Sequence, residues 1–316
     1  MRNYMISNGV KNLSHEQLNR QSNGIYTNKL EIEYNTVIII QDQILSGERP
    51  LYGSNQLVLR RVTIGEGESG LKEARHIEIH NCEFEGMYVL WECEDILCCN
   101  SHFASSDRAP LWYIKNLRMR DCLIDAPKVI REVDGLILER LKITNGAEAF
   151  WYCKNGQLSD ITIEQAEYAF MQSHQLHINN LTLRGKYTFQ YARNIEIYHA
   201  KLDTKDAFWN SEDCVIYDSE IKGEYLGWYA KNLRLVRCHI SGTQPLCYCE
   251  NLIIEDCTFD PNADLAFEHS SVCATILSSI TSIKNPKSGT IRCHGYGEFI
   301  HDTEAKAPDD CLIIKN

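Results

Sequence analysis

Apolar residues in this chain fall in a broken alternation that recurs about every 20 positions. Eleven segments align: LVLRRVTI (57–64), IEIHNCEF (77–84), ILCCNSHF (96–103), LRMRDCLI (117–124), LILERLKI (136–143), GQLSDITI (156–163), LHINNLTL (176–183), IEIYHAKL (195–202), CVIYDSEI (214–221), LRLVRCHI (233–240) and LIIEDCTF (252–259). Their starting positions are almost evenly spaced along the chain, a regularity that marks one repeated unit. Apolar side chains take the first, third, sixth and eighth places, while the second and seventh carry residues such as Glu78, Arg118, Glu83, Lys142 and Lys201. Alternation of period two predicts strands, and the phase break in the middle predicts a bend between two short ones.

The bend is occupied by Asn81, Asn100, Asp121, Asp160, Asn180, Asp218 and Asp256, residue types that tolerate left-handed backbone geometry and so turn corners. A second corner precedes the first strand, at Asn116, Asn155, Asn194, Asn232 and Asn251. Gly86, Gly146, Gly185, Gly223 and Gly242 punctuate the repeat a third time, each at the same distance before the next copy. After them come YVLWE (88–92), APLWY (109–113), KVIRE (128–132), EAFWY (148–152), YAFMQ (168–172), YTFQY (187–191), DAFWN (206–210), YLGWY (225–229) and QPLCY (244–248), read as a third strand.

Three strands and three corners per copy predict an all-β fold: a single right-handed parallel β-helix (solenoid), three strands per coil, about 11–12 coils of roughly 20 residues. Equivalent residues then stack about 4.8 Å apart. Cys82, Cys122, Cys238 and Cys257 form an interior ladder on this reading, as small apolar packing. Open solenoid ends need covering. Residues 1–50, with the helix-like LSHEQLNR (13–20), are expected as the N-terminal cap and first strands, 51–271 as regular coils, and 272–316 as the last coils and C-terminal cap of one domain.

In the third strand one column holds Leu90, Leu111, Ile130, Phe150, Phe170, Phe189, Phe208, Gly227 and Leu246, with nothing polar, and is expected to point inward. The next holds Trp91, Trp112, Arg131, Trp151, Met171, Gln190, Trp209, Trp228 and Cys247. Burying Arg131 or Gln190 without a partner is costly, so this column is placed outward. Trp91, Trp112, Trp151, Trp209 and Trp228 with Tyr113 and Tyr152 then make a ligand-binding stripe, since exposed aromatic surface of this extent marks binding sites. With the opposite parity the tryptophans fill the core.

Chemistry along that face rests on Glu92, Glu132, Arg131 and Lys128. Glu92 and Glu132 share a column two coils apart, about 9.5 Å, near the upper end for an inverting carboxylate pair. Arg131 and Lys128 beside Glu132 offer a base and a charge stabiliser for uronate elimination. The same groups also read as solvated ion-pair columns, with Lys128 against Glu148.

The formal net charge of -11 and pI near 5.5 disfavour nucleic acid and anionic membranes. No apolar run approaches a membrane span, and the N-terminal stretch MRNYMISNGVKNLSHEQLNR lacks a signal-peptide core, so a cytoplasmic location is expected, with the 14 cysteines reduced. Cys98-Cys99 and Cys247-x-Cys249 lack zinc-site spacing, and no metal or cofactor is expected.

Seven segments, GERPLYGS (47–54), GESGLKEARHIEI (67–79), RAPLWY (108–113), APKVIRE (126–132), KDAFWN (205–210), GEYLGWYAKNL (223–233) and GTQPLCYCENL (242–252), resemble a bacterial family of uncharacterised right-handed β-helix proteins, domain-of-unknown-function family 3737. The resemblance implies the solenoid fold and carries no activity, substrate or catalytic residue. At fold level the chain is also similar to pectate lyases and polygalacturonases, an analogy that by itself assigns no function. Two functions follow: binding, with cleavage or modification as an extension, of an oligosaccharide along the aromatic face, or a non-catalytic scaffold that binds a protein or a second copy through it.

Overall fold

A computed structural model describes residues 5–6, 37–302 and 310–315. The helix-like stretch 13–20 lies outside the described residues. The chain forms two compact units, Met1–Thr144 and Asn145–Asn316. Among the described residues neither contains a helix, so none is long and apolar enough to cross a membrane.

In the first unit Ile38–Gln41, Asn55–Arg60, Arg75–His80, Glu94–Cys99, Lys115–Ile124 and Asp134–Ile143 stack in parallel, each one coil beyond the last. Among the described residues the first coil opens at Ile38. Ile44–Glu48, Thr63–Glu68, Glu83–Phe84 and His102–Phe103 stack as the second side. The registers pair like with like, as in Leu57↔Ile77 and Ile77↔Ile96, so each apolar column lies inside.

The second unit repeats this plan from Lys154–Glu167 and His174–Lys186 through Leu252–Phe259 to Ser271–Lys284, Ser288–Ile300 and Asp310–Lys315, again all parallel. Its core contains a face-to-face stack, Phe150–Phe170–Phe189–Phe208, with centroids 4.6, 4.6 and 4.7 Å apart and planes within 3°. Coil spacing dictates this geometry: rings in one column are held one strand separation apart.

Both Asn/Asp corners are left-handed, as at Asn81 (φ 55°), Asp121 (φ 55°), Asn116 (φ 60°) and Asn155 (φ 57°). Guanidinium–carboxylate pairs clamp successive corners, with Arg61 on Asp42, Arg140 on Asp121 and Arg237 on Asp218, each through two hydrogen bonds. Gly223 sits where a Cβ would approach the Thr204 carbonyl oxygen to 2.1 Å, so close backbone contact explains this glycine.

The third side stacks coil on coil through amide–carbonyl bonds such as Leu90 to Gly70 and Leu111 to Val89. Its backbone differs from a regular strand. Every second residue is left-handed, as at Tyr88, Leu90 and Glu92 (φ 57–59°) and at Glu148, Phe150 and Tyr152 (φ 56–60°). The run is a ribbon of turns whose isolated bridges, such as Trp112↔Arg131, replace a continuous ladder. Two adjacent residues can then both face inward: Val89 with Leu90, Val129 with Ile130 and Ala149 with Phe150 are fully buried. Cys82, Cys122, Cys238 and Cys257 are buried, and Cys98 and Cys122 bring their sulfurs to 4.0 Å as free thiols.

Candidate functional site on the third side

The left-handed ribbon decides which side chains reach solvent. The column from Leu90 to Ile130 and that from Phe150 to Phe208 are fully buried, and the neighbouring tryptophan positions are half-buried and face outward. Gln190 and Cys247, in the same column as the tryptophans, are buried. One residue further on stand the exposed groups: Glu92, Tyr113 and Glu132 in the first unit, and Tyr152, Gln172, Tyr191, Asn210 and Tyr229 in the second.

In the first unit the outward column reads Lys72, Trp91, Trp112, Arg131 over four successive coils. The two indoles stack with centroids 4.9 Å apart and planes 7° from parallel. Arg131 lies over Trp112, its guanidinium carbon 4.4 Å from the ring centroid, and Lys72 lies 6.0 Å from the Trp91 ring. The indole pair is thus covered by a cation at either end, an arrangement favoured by the ring quadrupole. Each indole N–H donates to a carbonyl of the next coil, Trp91 to Ala109 at 2.6 Å and Trp112 to Lys128 at 2.5 Å. With ring faces and N–H groups engaged inside the ladder, the two tryptophans offer mainly edges to a ligand. Tyr113, packed edge-on against both, is 39% exposed and stands above them.

The structure brings Glu92, Trp91, Trp112, Tyr113 and Arg131 together. Glu92 is ion-paired with Lys72 at 3.4 Å. Glu132 is exposed on the next coil after Tyr113, and Lys128 is half-buried and contributes its carbonyl to the Trp112 bond. Lys72 escapes a reading of the sequence because its coil, SGLKE, has Ser69 and Lys72 itself where the next coil carries Tyr88 and Trp91. Its position one repeat before Trp91 is the available signal.

In the second unit Trp151 donates to the Tyr168 carbonyl at 2.6 Å and Trp228 to that of Gln244 at 2.9 Å. Trp209 and Trp228 meet at 66° rather than stacking. Tyr152 is 40% exposed and touches Trp151 edge-on, and Tyr191, 50% exposed, stacks on no ring among the described residues. Tyr229 stacks on Tyr248 at 4.8 Å, and Tyr248 lies against His269 at 5.3 Å. Beneath them the buried Glu268 accepts a hydrogen bond from Lys284 at 2.8 Å. This pairing raises the Lys284 pKa, and burial, then the Glu268 charge, raises that of the Tyr248 hydroxyl.

A separate polar cluster lies on the second side of the first unit. His102 is held between Glu83 (2.5 Å) and Asp125 (2.9 Å), and Thr144 donates to Asp125 at 2.5 Å. Burial alone would lower the His102 pKa, but the Asp125 hydrogen bond and the Glu83 charge carry the net shift upward. It borders a shallow groove lined by Arg61, Asn81, Asn100 and Asp121. Among the described residues no group of three or more His, Cys, Asp or Glu is arranged to hold a metal ion.

A family model described as "Protein of unknown function (DUF3737)" matches residues 38–314. No curated protein sequence matches the chain. Among solved structures, HetL, a pentapeptide repeat protein involved in heterocyst differentiation regulation from the cyanobacterium Nostoc sp. strain PCC 7120, is similar at 12% identity, with 73% of this chain and 89% of that one covered and a TM-score of 0.26. A mutant of the periplasmic alginate epimerase AlgG is similar at 8% identity, with 89% and 74% covered and a TM-score of 0.27. Likenesses this distant carry nothing about ligand or reaction.

Proposed function

The chain belongs to the DUF3737 family of proteins of unknown function, and we propose that it binds an oligosaccharide along the exposed tyrosines of a third side, each unit taken by itself. The observation that carries this reading is the placement of Tyr113, Tyr152, Tyr191 and Tyr229. Each is 39–50% exposed, Tyr113, Tyr152 and Tyr229 beside half-buried indoles and Tyr191 beside the buried Gln190, at positions fixed by the coil spacing. A tyrosine ring supplies an apolar face for the C–H face of a sugar and a hydroxyl for its polar rim, and it loses little conformational freedom on binding. The rigid solenoid presents these rings already ordered, which lowers the entropic cost of association.

Binding is the activity proposed; cleavage is not. Hydrolysis by Glu92 and Glu132 would require one carboxyl to protonate the leaving oxygen, and Glu92 is engaged by Lys72. Elimination through Arg131 and Lys128 would require the guanidinium to leave the Trp112 face, where it rests. A glycan array probed with the intact chain tests the reading. Saturable binding should be lost in Tyr152→Ala/Tyr191→Ala with the melting temperature unchanged within a few degrees, as expected for exposed side chains. Retention of binding in that variant would contradict it. Light scattering addresses the scaffold alternative: a stable dimer dissociated by the same two substitutions would favour self-association through this face.

A further inference from the structure

We propose that the third side of the second unit is built for a neutral glycan that repeats every two sugars, an extended β-1,4-linked pyranoside chain. This rests on the oligosaccharide reading above and names its substrate class. The exposed column reads Tyr152, Gln172, Tyr191, Asn210, Tyr229: aromatic and carboxamide side chains alternate strictly from coil to coil. Coils are spaced about 4.8 Å, so successive tyrosines recur about every 9.5 Å. That is close to the length of a disaccharide in a chain whose successive rings are turned over. Each tyrosine then meets the same face of every second sugar, and each carboxamide, able both to donate and to accept, meets the hydroxyls of the sugar between.

The charge pattern selects the class. From Tyr152 to Tyr229 this column contains no ionisable group besides the tyrosines, and the shelf beneath it, Trp151, Met171, Gln190, Trp209 and Trp228, contains none. Cations flanking the column are paired, Lys186 with Glu167 at 3.1 Å, Lys205 with Glu224 at 2.9 Å, Arg193 with Glu212 at 3.4 Å and Lys231 with Glu250 at 3.2 Å, so a uronate carboxylate would compete with protein carboxylates for them. The first unit differs: there the carboxamide places are taken by Glu92 and Glu132, with Lys72 and Arg131 in the shelf. Uncharged and alternating with period two, the second unit's face matches a neutral chain in which identical surfaces recur every disaccharide.

Calorimetric titration of the full chain with β-1,4-linked gluco- or xylo-oligosaccharides of two to six sugars, alongside oligouronates of equal length, tests this. The neutral series should bind, with affinity rising roughly tenfold from disaccharide to tetrasaccharide and changing little on addition of each odd sugar. Tyr191→Ala should remove that step while the melting temperature holds. A preference for uronates, a smooth rise with every sugar, or a step that survives Tyr191→Ala would overturn the inference while leaving the oligosaccharide reading in place. Failure of every glycan to bind would overturn both.

Discussion

Left-handed backbone angles fall in this protein at the corners and along the third side, and only the Asn and Asp corners are legible in the sequence. Asn81, Asp121 and Asn155 announce their corners because a short polar side chain tolerates φ above zero. Leu90, Ile130 and Phe150 adopt the same angles, and nothing in their chemistry signals it; for β-branched Ile130 the conformation is an outlier at a cost of about 1–3 kcal/mol. Full burial of each side chain, worth about 1.5–3 kcal/mol, offsets that cost. Two titrating residues have consequences at the same scale. His102 holds its proton more tightly in the fold than its ordinary value of 6.5, so its bridge between Glu83 and Asp125 contributes fully below that pH and is lost as pH rises through the raised value. The unfolding midpoint should fall over that window in the native protein, and His102→Gln should flatten the profile in denaturant titrations at stepped pH. Asp107 is fully buried with neither carboxylate oxygen hydrogen-bonded; burial holds its pKa well above 3.8, against the weaker opposing effect of the Val89 amide. Stability therefore declines as pH rises above 3.8, where the unfolded chain ionises and the fold resists. Asp107→Asn should be more stable than the native protein at pH 8 by about 1–3 kcal/mol, with the gap closing toward pH 4; a gap independent of pH would contradict the assignment.

Among the elements, the first two sides follow directly from the repeat, because apolar alternation and strand pairing share a period of two. The third side is legible as a stacked run with an apolar column inward, as Leu90 and Phe170 show, yet its conformation is not. A five-residue segment such as EAFWY fits a strand and an alternating turn ribbon equally well by apolar count, and the left-handed angles at Glu148, Phe150 and Tyr152, with the burial of Ala149 beside Phe150, separate them. The Phe150–Phe208 stack makes the ribbon a stability element. Phe170→Ala, with ring neighbours on both sides, should cost about 3–5 kcal/mol in chemical denaturation, with little room for the rigid coils to collapse. The Lys72–Trp91–Trp112–Arg131 ladder is half visible: in the sequence its indoles suggest a ligand platform, whereas their ring faces are engaged by one another and by the two cations. Trp112→Ala should accordingly lower stability by about 1–3 kcal/mol, because it removes an aromatic stack and a cation–π contact together. By contrast Tyr113→Ala, one residue on, should change stability by less than about 1 kcal/mol.

At the scale of the whole molecule, a chain of net charge -11 places its tryptophans and, among the described residues, its exposed tyrosines on the third side of each unit and distributes its charges in paired columns. Stacking turns a residue pattern into a surface pattern: whatever recurs once per repeat becomes a line of identical groups one strand separation apart. This makes the solenoid suited to long, regular ligands. The tyrosine lines are what remain available after the phenylalanines are buried and the indoles are engaged as their shelf. Hydroxyl-radical footprinting of the intact chain, with and without a saturating glycan identified on the array, tests this account most directly. Oxidation of Tyr152, Tyr191 and Tyr229 should fall on binding, while the stacked Tyr198 and Tyr217, outside the third side, remain as reactive as before; protection of Tyr198 and Tyr217 with no change at Tyr152 and Tyr191 would contradict it.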